Sequence, residues 1–336
     1  MPVSGSGFAR LELLGAKDYS MSTRHTLPAK VGTVHRGAFD AALPAVLTVE
    51  SGDIVEVTTL SGNPDQLPPA ESGFTVLPEH RAVLAGVAPG EGPHFMTGPI
   101  AVSGAAPGDE LIVEVLSMEL AQDWGWNRFA ARMGTLPDHF PQARCIHVGI
   151  DCAGGTVTMP WGLRLKAAPF FGIIGVAPPP AMGRVTSIVP RVFGGNIDNK
   201  HFGAGATLHL PVFNPGGLLS VGDGHALQGD GEVCLTAIET ALAGTLRVTI
   251  GKNTGIAQPW AETAAHVITM AFDPDLDIAA QSALYEMIKL IERTSGLSAA
   301  DAYSLCSIAA DVHVTQLVNL HKGIHVMLAK SALQRA

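Results

Sequence analysis

The residues best suited to chemistry fall in two short runs, GGNIDNKH from Gly194 to His201 and VGDGHALQGDGEV from Val221 to Val233. In the second run Asp223 and His225 stand two apart, as do Asp230 and Glu232, so an extended backbone puts each pair on one side of its strand. Gly222, Gly224, Gly229 and Gly231 flank all four, and such small neighbours let backbone and side chains crowd around an ion or a substrate. Carboxylates mixed with imidazole suit Zn²⁺ or a related divalent metal. The plainer reading is a Gly/Asp-rich hairpin with solvated turns. It leaves His225, Gln228 and Glu232 without a purpose, and the apolar flanks (LHLPVF before, CLTAI after) point to burial. The acids do not follow the order of an EF-hand calcium loop, although Ca²⁺ held in another way stays open beside zinc.

These runs are part of a longer likeness. FGGNIDNK and LHLPVFNPGGLLSVGDGHALQGDGEV, together with HFMTGPIAV at His94, DWGW at Asp123 and GIIGVAP at Gly172, closely resemble the acetamidase/formamidase family. The likeness runs from His35 (VHRGAFDAALPAVLTVESGD) to the GIHV segment at Gly323. It implies a β-rich, oligomeric protein that binds divalent metal and hydrolyses short aliphatic amides, such as formamide and acetamide, to carboxylate and ammonia. Carried over by position, it implies Asn196, Asp198, His225, Asp230 and Glu232 as site residues, with His94 beside them. Glu232, Asp230, Asn196 and His94 are assigned to catalysis and Gly195, Thr97 and Gln228 to substrate binding. Asp198, His225, Asp223 and His35 are assigned to the metal. The stretches Met1 to Thr26 and Asn127 to Ile150 are less like the family and carry no functional reading.

Amide hydrolysis explains the need for such groups. An unactivated amide is a poor electrophile with a poor leaving group, so a site must polarise the carbonyl, generate a hydroxide-like nucleophile and protonate departing ammonia. A metal held by Asp198 and His225 would serve the first two, taking the pKa of bound water towards roughly 7, while Glu232 or Asp230 moves the proton. Two rivals stand beside this reading. Cys234 lies two residues beyond Glu232, where a cysteine amidase could place its nucleophile. A non-catalytic binding module would instead use the acids and histidine for a structural metal with a closed coordination sphere. His209, His266, His313, His321 and His325 occupy apolar or strand-like contexts and read as satisfied or surface groups.

The elements that must position these groups follow from composition and pattern. A chain of 336 residues, 47% hydrophobic, can bury a large core, and 15% charged residues with 38 Gly and 23 Pro favour short elements joined by tight turns. The expected fold is α+β and mainly β, with a sandwich- or barrel-like body. VLTVESGDIVEVTT (Val46 to Thr59) and IAVSGAAPGDELIVEVL (Ile100 to Leu116) each read as strand, Gly-Asp turn, strand. LLSVGDGH repeats the spacing, so Asp53, Asp109 and Asp223 are expected to share a turn geometry. From Asp123 to Pro180 no period is sustained, which reads as loops and short strands over a site. Ile278 to Arg293 carries a helical face ended by Gly296, and Ser298 with Asp301 caps a second helix through Ala310. Val312 to Val318 and Ile324 to Leu328 return to strand. The expected division is an extension over 1–30, a catalytic body over 30–270 and a carboxy-terminal α+β portion over 271–336.

A net charge of −9 and a pI near 5.8 repel phosphates, so nucleic acid is not expected as a partner. Four irregularly spaced cysteines make no disulfide framework. No signal peptide or apolar run of about 18 residues is present, so a cytoplasmic protein without a membrane partner is expected. The high apolar fraction and low charge point to a homo-oligomer, a dimer first.

Overall fold

In the computed structural model, which describes residues 22–334, most of the chain folds into two large β-sheets packed face to face. The nine-stranded sheet runs in the order Arg24–Leu27, Ile54–Thr58, Leu242–Gly251, Glu110–Leu120, Thr207–Pro211, Trp260–Glu262, His266–Asp273, Lys322–Ala329, Ala310–Gln316. The centre of the eleven-stranded sheet is Leu219–Leu227, flanked by Phe170–Gly175 and Ile238–Glu239 and paired also with Phe95–Val102. Alternation along the strands fills the space between the sheets. Val113, Leu208, Leu210 and Val248 from the first sheet meet Met96, Ile173, Leu219 and Val221 from the second, each with 1% of its surface exposed or less. The same period in His266–Asp273 sends Ile268 and Met270 to this core and Val267 and Ala271 to the helices behind it.

Two Gly-Asp corners carry the chain from one sheet to the other. After Leu47–Val49, Gly52 turns at φ 100° and Asp53 accepts the Glu50 and Thr23 amides before Ile54–Thr58 begins in the opposite sheet. After Phe95–Val102, Gly108 turns at φ 93° and Asp109 accepts the Ala106 and Asn253 amides before Glu110–Leu120. In each case the carboxylate closes its own turn by accepting the N–H three residues earlier. Asp223, expected to share this geometry, does not. It lies inside the Leu219–Leu227 strand, where a Cβ on the preceding Gly222 would come 2.2 Å from the Phe95 carbonyl oxygen, so that glycine serves close strand packing.

Residues Leu276–Ser295 form a helix, α1, capped by the Asp275 carboxylate on the Asp277 and Ile278 amides and ended by Gly296 at φ 69°. A second, α2 (Ala299–Ala309), starts on Ser298, whose hydroxyl accepts the Asp301 amide. Both pack on the outer face of the nine-stranded sheet through Ala279, Ala283, Met287, Ile291, Ala302 and Cys306. Pro78–Gly86 is also helical, a short element without a capping side chain that pattern alone does not reveal.

Between Asp123 and Pro180, expected as loops and short strands, the chain forms a meander of four strands from Trp124–Phe129 to Arg164–Lys166 and then crosses to Phe170–Gly175 beside Leu219–Leu227; the outermost, Arg164–Lys166, is exposed along its length and so shows no period. The expected extension lies mostly in residues 1–21, outside the described residues, but Arg24–Leu27 is an edge strand of the body. The division at residue 271 falls within a strand, because the carboxy-terminal strands continue the nine-stranded sheet. Among the described residues no helix is long and apolar enough to cross a membrane, and all four cysteines are free.

Candidate active site

The site forms where the strand Leu219–Leu227 meets three tight backbone passages. His225 is fully buried, its ring T-shaped to that of Phe170 with centroids 5.0 Å apart. Its Nδ1 donates to Gln228 Oε1 (2.8 Å), because the Gln228 amide nitrogen is already committed to the Asp198 carbonyl (2.7 Å). Nε2 therefore faces the carboxyls: Asp223 Oδ2 and Glu239 Oε1 at 3.2 Å, and Asp198 Oδ1 at 3.8 Å. Glu232 lies with Glu239 on the same imidazole. Asp198 Oδ2 accepts the Asn319 side-chain amide, brought across by the hairpin between Ala310–Gln316 and Lys322–Ala329. His94 approaches Asp223 at 3.9 Å and is oriented through Nδ1 by the Ser187 hydroxyl at 2.8 Å.

Backbone geometry makes this crowding possible. Asp198, Asp223 and Glu232 all occupy the left-handed region, at φ 53°, 53° and 44°, a conformation costly for a residue with a Cβ and found where a site over-determines it. Gly172 supplies the space: a Cβ there would lie 2.5 Å from Asp198 Oδ1 and 2.8 Å from His225 Nε2.

Four carboxyls around one imidazole cannot all ionise out of water, and their protonation divides. Burial, then the Asp198 charge, pushes Glu232 well above the usual carboxylate range. Burial, with Asp223 adding, pushes Glu239 up to about 8, and the same two causes push Asp198 to about 7 against the pull of His225. Asp223 is also raised by burial, but His94 and His225 outweigh this and hold it below its ordinary value. For His225 burial favours the neutral form, yet Glu239 and Asp223 outweigh burial and lift it well above 6.5. Proton affinity therefore divides across the cluster, low at Asp223 and high at Glu232 and Glu239, so the two glutamates are the groups suited to carry a proton.

The donor set fits a divalent cation. Asp198 Oδ1, Glu232 Oε2 and Glu239 Oε2 are buried without a hydrogen-bond partner, and a cation would satisfy them. Ligand atoms of Asp198, Asp223 and His225 lie within 4.8 Å of one another, as do those of His225, Glu232 and Glu239.

Above the cluster opens a cavity of about 370 Å³. Asp223, Glu232, Glu239, His94 and Asn319 reach its floor, while Asp198 and His225 sit one layer deeper.

The Acetamidase/Formamidase family matches residues 30–187 and 181–330. The chain belongs to this family. A formamidase from Methylophilus methylotrophus is 31% identical over 224 residues, 49% of this chain and 54% of its own length, so the chain spans about half of the curated relatives it matches. Among solved structures, a predicted acetamidase/formamidase from Thermoanaerobacter tengcongensis superposes with TM-score 0.80 at 30% identity, covering 93% of this chain and 97% of the other. An acetamidase from Bacillus halodurans does so with TM-score 0.78, also at 30% identity, covering 90% and 97%.

In this member of the acetamidase/formamidase family, the cluster gathers Asp198, Asp223, His225 and Glu232, with His94 at its edge. Gln228, expected to touch substrate, lies behind the imidazole as its positioning partner. Asn196 and Gly195 belong to the strand leading to Asp198 and do not line the cavity; Asn196 donates to the Ile188 carbonyl. Thr97 also stays outside, its hydroxyl spent on the Thr58 carbonyl at 2.7 Å. His35 is not with the metal donors, because its nitrogens face Ser220 Oγ (3.0 Å) and the Ala38 carbonyl (3.2 Å). Asp230 is separated from Glu232 by Gly231 at φ 94°, which breaks the expected strand face. It turns outward to Lys200 Nζ at 2.9 Å and His313 Nδ1 at 3.4 Å.

Cys234 contacts Asn127 and Thr236 and does not line the cavity, which removes support for a cysteine nucleophile. Glu239, Asn319 and Gly172 were not picked out from sequence. Glu239 carried a usable signal as a single acid inside the apolar run CLTAIETALAG; Asn319, in a turn without a signature, carried none.

Proposed function

We propose that the protein hydrolyses linear carboxamides to carboxylate and ammonia on the floor of this cavity. The observation that carries the reading is a buried imidazole ringed by four carboxyls at the closed end of a cavity, in a chain of the acetamidase/formamidase family. A divalent ion, zinc first and calcium second, held by Asp198, Asp223 and His225, would polarise the carbonyl and acidify water while leaving Glu232 free to move protons. The chain's own groups supply the rest. With Asp198, Asp223 and His225 committed to the ion, Glu232, at the cavity floor, takes a proton from the attacking water as its oxygen bonds to the carbonyl carbon. As the C–N bond breaks, the Glu232 carboxyl gives that proton to the nitrogen, which leaves as ammonia and returns Glu232 to its starting state. His94, held by Ser187, lines the cavity beside Asp223.

The enzyme is expected to act in the cytoplasm as a homo-oligomer, a dimer first, which light scattering would read. Ammonia release from formamide, acetamide, propionamide and butyramide, with divalent metal supplied, tests the activity. No release from any amide sinks it.

A further inference from the structure

The cavity is far larger than the smallest amides require. At roughly 30 Å³ per heavy atom, the share of one water in the liquid, acetamide would fill about a third of its 370 Å³ and leave room for roughly eight further heavy atoms. That room is not polar. Leu60, Phe95, Trp126 and Ile188 wall it, and Met133 and Leu320, 48% and 68% exposed, continue the apolar lining at the rim. Arg128, a cation among the lining residues, is paired with Asp65 at 2.6 Å, so it offers little to a charged acyl chain. The carboxyls of Asp223, Glu232 and Glu239 gather at the floor, which places an amide there and its acyl group against the walls.

We propose that this site selects carboxamides whose acyl group is bulky and apolar, of phenyl size, over formamide and acetamide. The proposal rests on the amidase reading and deepens it. A small amide would leave the walls wet, whereas an aryl group would displace that water and pack against Leu60, Trp126 and Ile188, making contacts kept in the transition state.

The test compares kcat/KM for formamide, acetamide, butyramide and phenylacetamide, alongside calorimetric binding of phenylacetamide and acetamide. Phenylacetamide is expected to exceed acetamide by about ten- to a hundred-fold in kcat/KM, with tighter binding in parallel. Met133→Trp narrows the rim at an exposed position and should lower the phenylacetamide-to-acetamide ratio several-fold, with folding checked by thermal melting. A kcat/KM that falls steadily from formamide upward, or equal binding of the two ligands, overturns the proposal. If no amide is turned over, the amidase reading fails by itself, and the binding comparison still decides whether the cavity prefers the aryl group.

Discussion

Glu232 and Asp223 lie around one imidazole and differ in proton affinity, the first raised by burial and a neighbouring carboxyl, the second lowered by two histidines. Glu232→Gln copies the shape of the acid but cannot take up or deliver a proton. Turnover is expected to fall on the order of 10²-fold or more while the melting temperature holds, as steady-state kinetics and calorimetry would read. Wild-type rates would remove Glu232 from the mechanism. Gly172→Ala is a steric test: its Cβ would enter the space of Asp198 and His225, so activity should vanish with little change in secondary structure by circular dichroism. Much of this centre was legible, because Asp198, Asp223, His225 and Glu232 sit in dense Gly-flanked motifs. Asp230 was misplaced because the alternation rule needs continuous extended backbone, and Gly231 interrupts it. Glu239 and Asn319 escaped since tertiary approach, not spacing, brings them in.

At the scale of elements, local signals served well and pairing did not. The two Gly-Asp corners, the Asp275 and Ser298 caps and the Gly296 stop are decided within a few residues, and each was readable. Strand order joins segments far apart in sequence, so no local pattern could place Thr207–Pro211 beside Glu110–Leu120. Asp275→Ala removes a cap accepting two amides and should cost about 1 kcal/mol in urea unfolding. His209 ties three neighbouring strands, facing Glu110 at 3.3 Å and Glu262 at 3.6 Å while stacking on Trp260. Burial lowers its proton affinity, but the two glutamates outweigh burial and raise it. This stabilisation is complete below about pH 6.5, the unfolded value, and fades as pH rises through the higher folded one. Glu262 is raised by burial, but His209 and Lys330 outweigh it and lower the group overall, so its contribution is present above about 4.5 and lost as pH falls through its folded value. Melting temperatures of wild type and His209→Gln should therefore converge from pH 6 to 9. A constant gap would show that the imidazole acts by packing alone.

Seen whole, the molecule spends a rigid double sheet on holding a centre that is itself unfavourable. A bound cation would relieve the repulsion of its carboxyls, so dialysis against chelator should lower the melting temperature and activity together, and His225→Ala should abolish the response to added metal. If chelator changes neither, the centre works without an ion. The three acids in left-handed backbone carry this further, into heredity. In chelator, Glu232→Gly should melt no lower than wild type, since glycine accepts φ 44° freely and removes a buried carboxyl oxygen without a partner. A library of variants selected for heat resistance alone would then accumulate glycine at this codon, while selection for growth on an amide as sole nitrogen source would restore the acid; the two lineages would part at one position, hardy and idle on one side, fragile and active on the other.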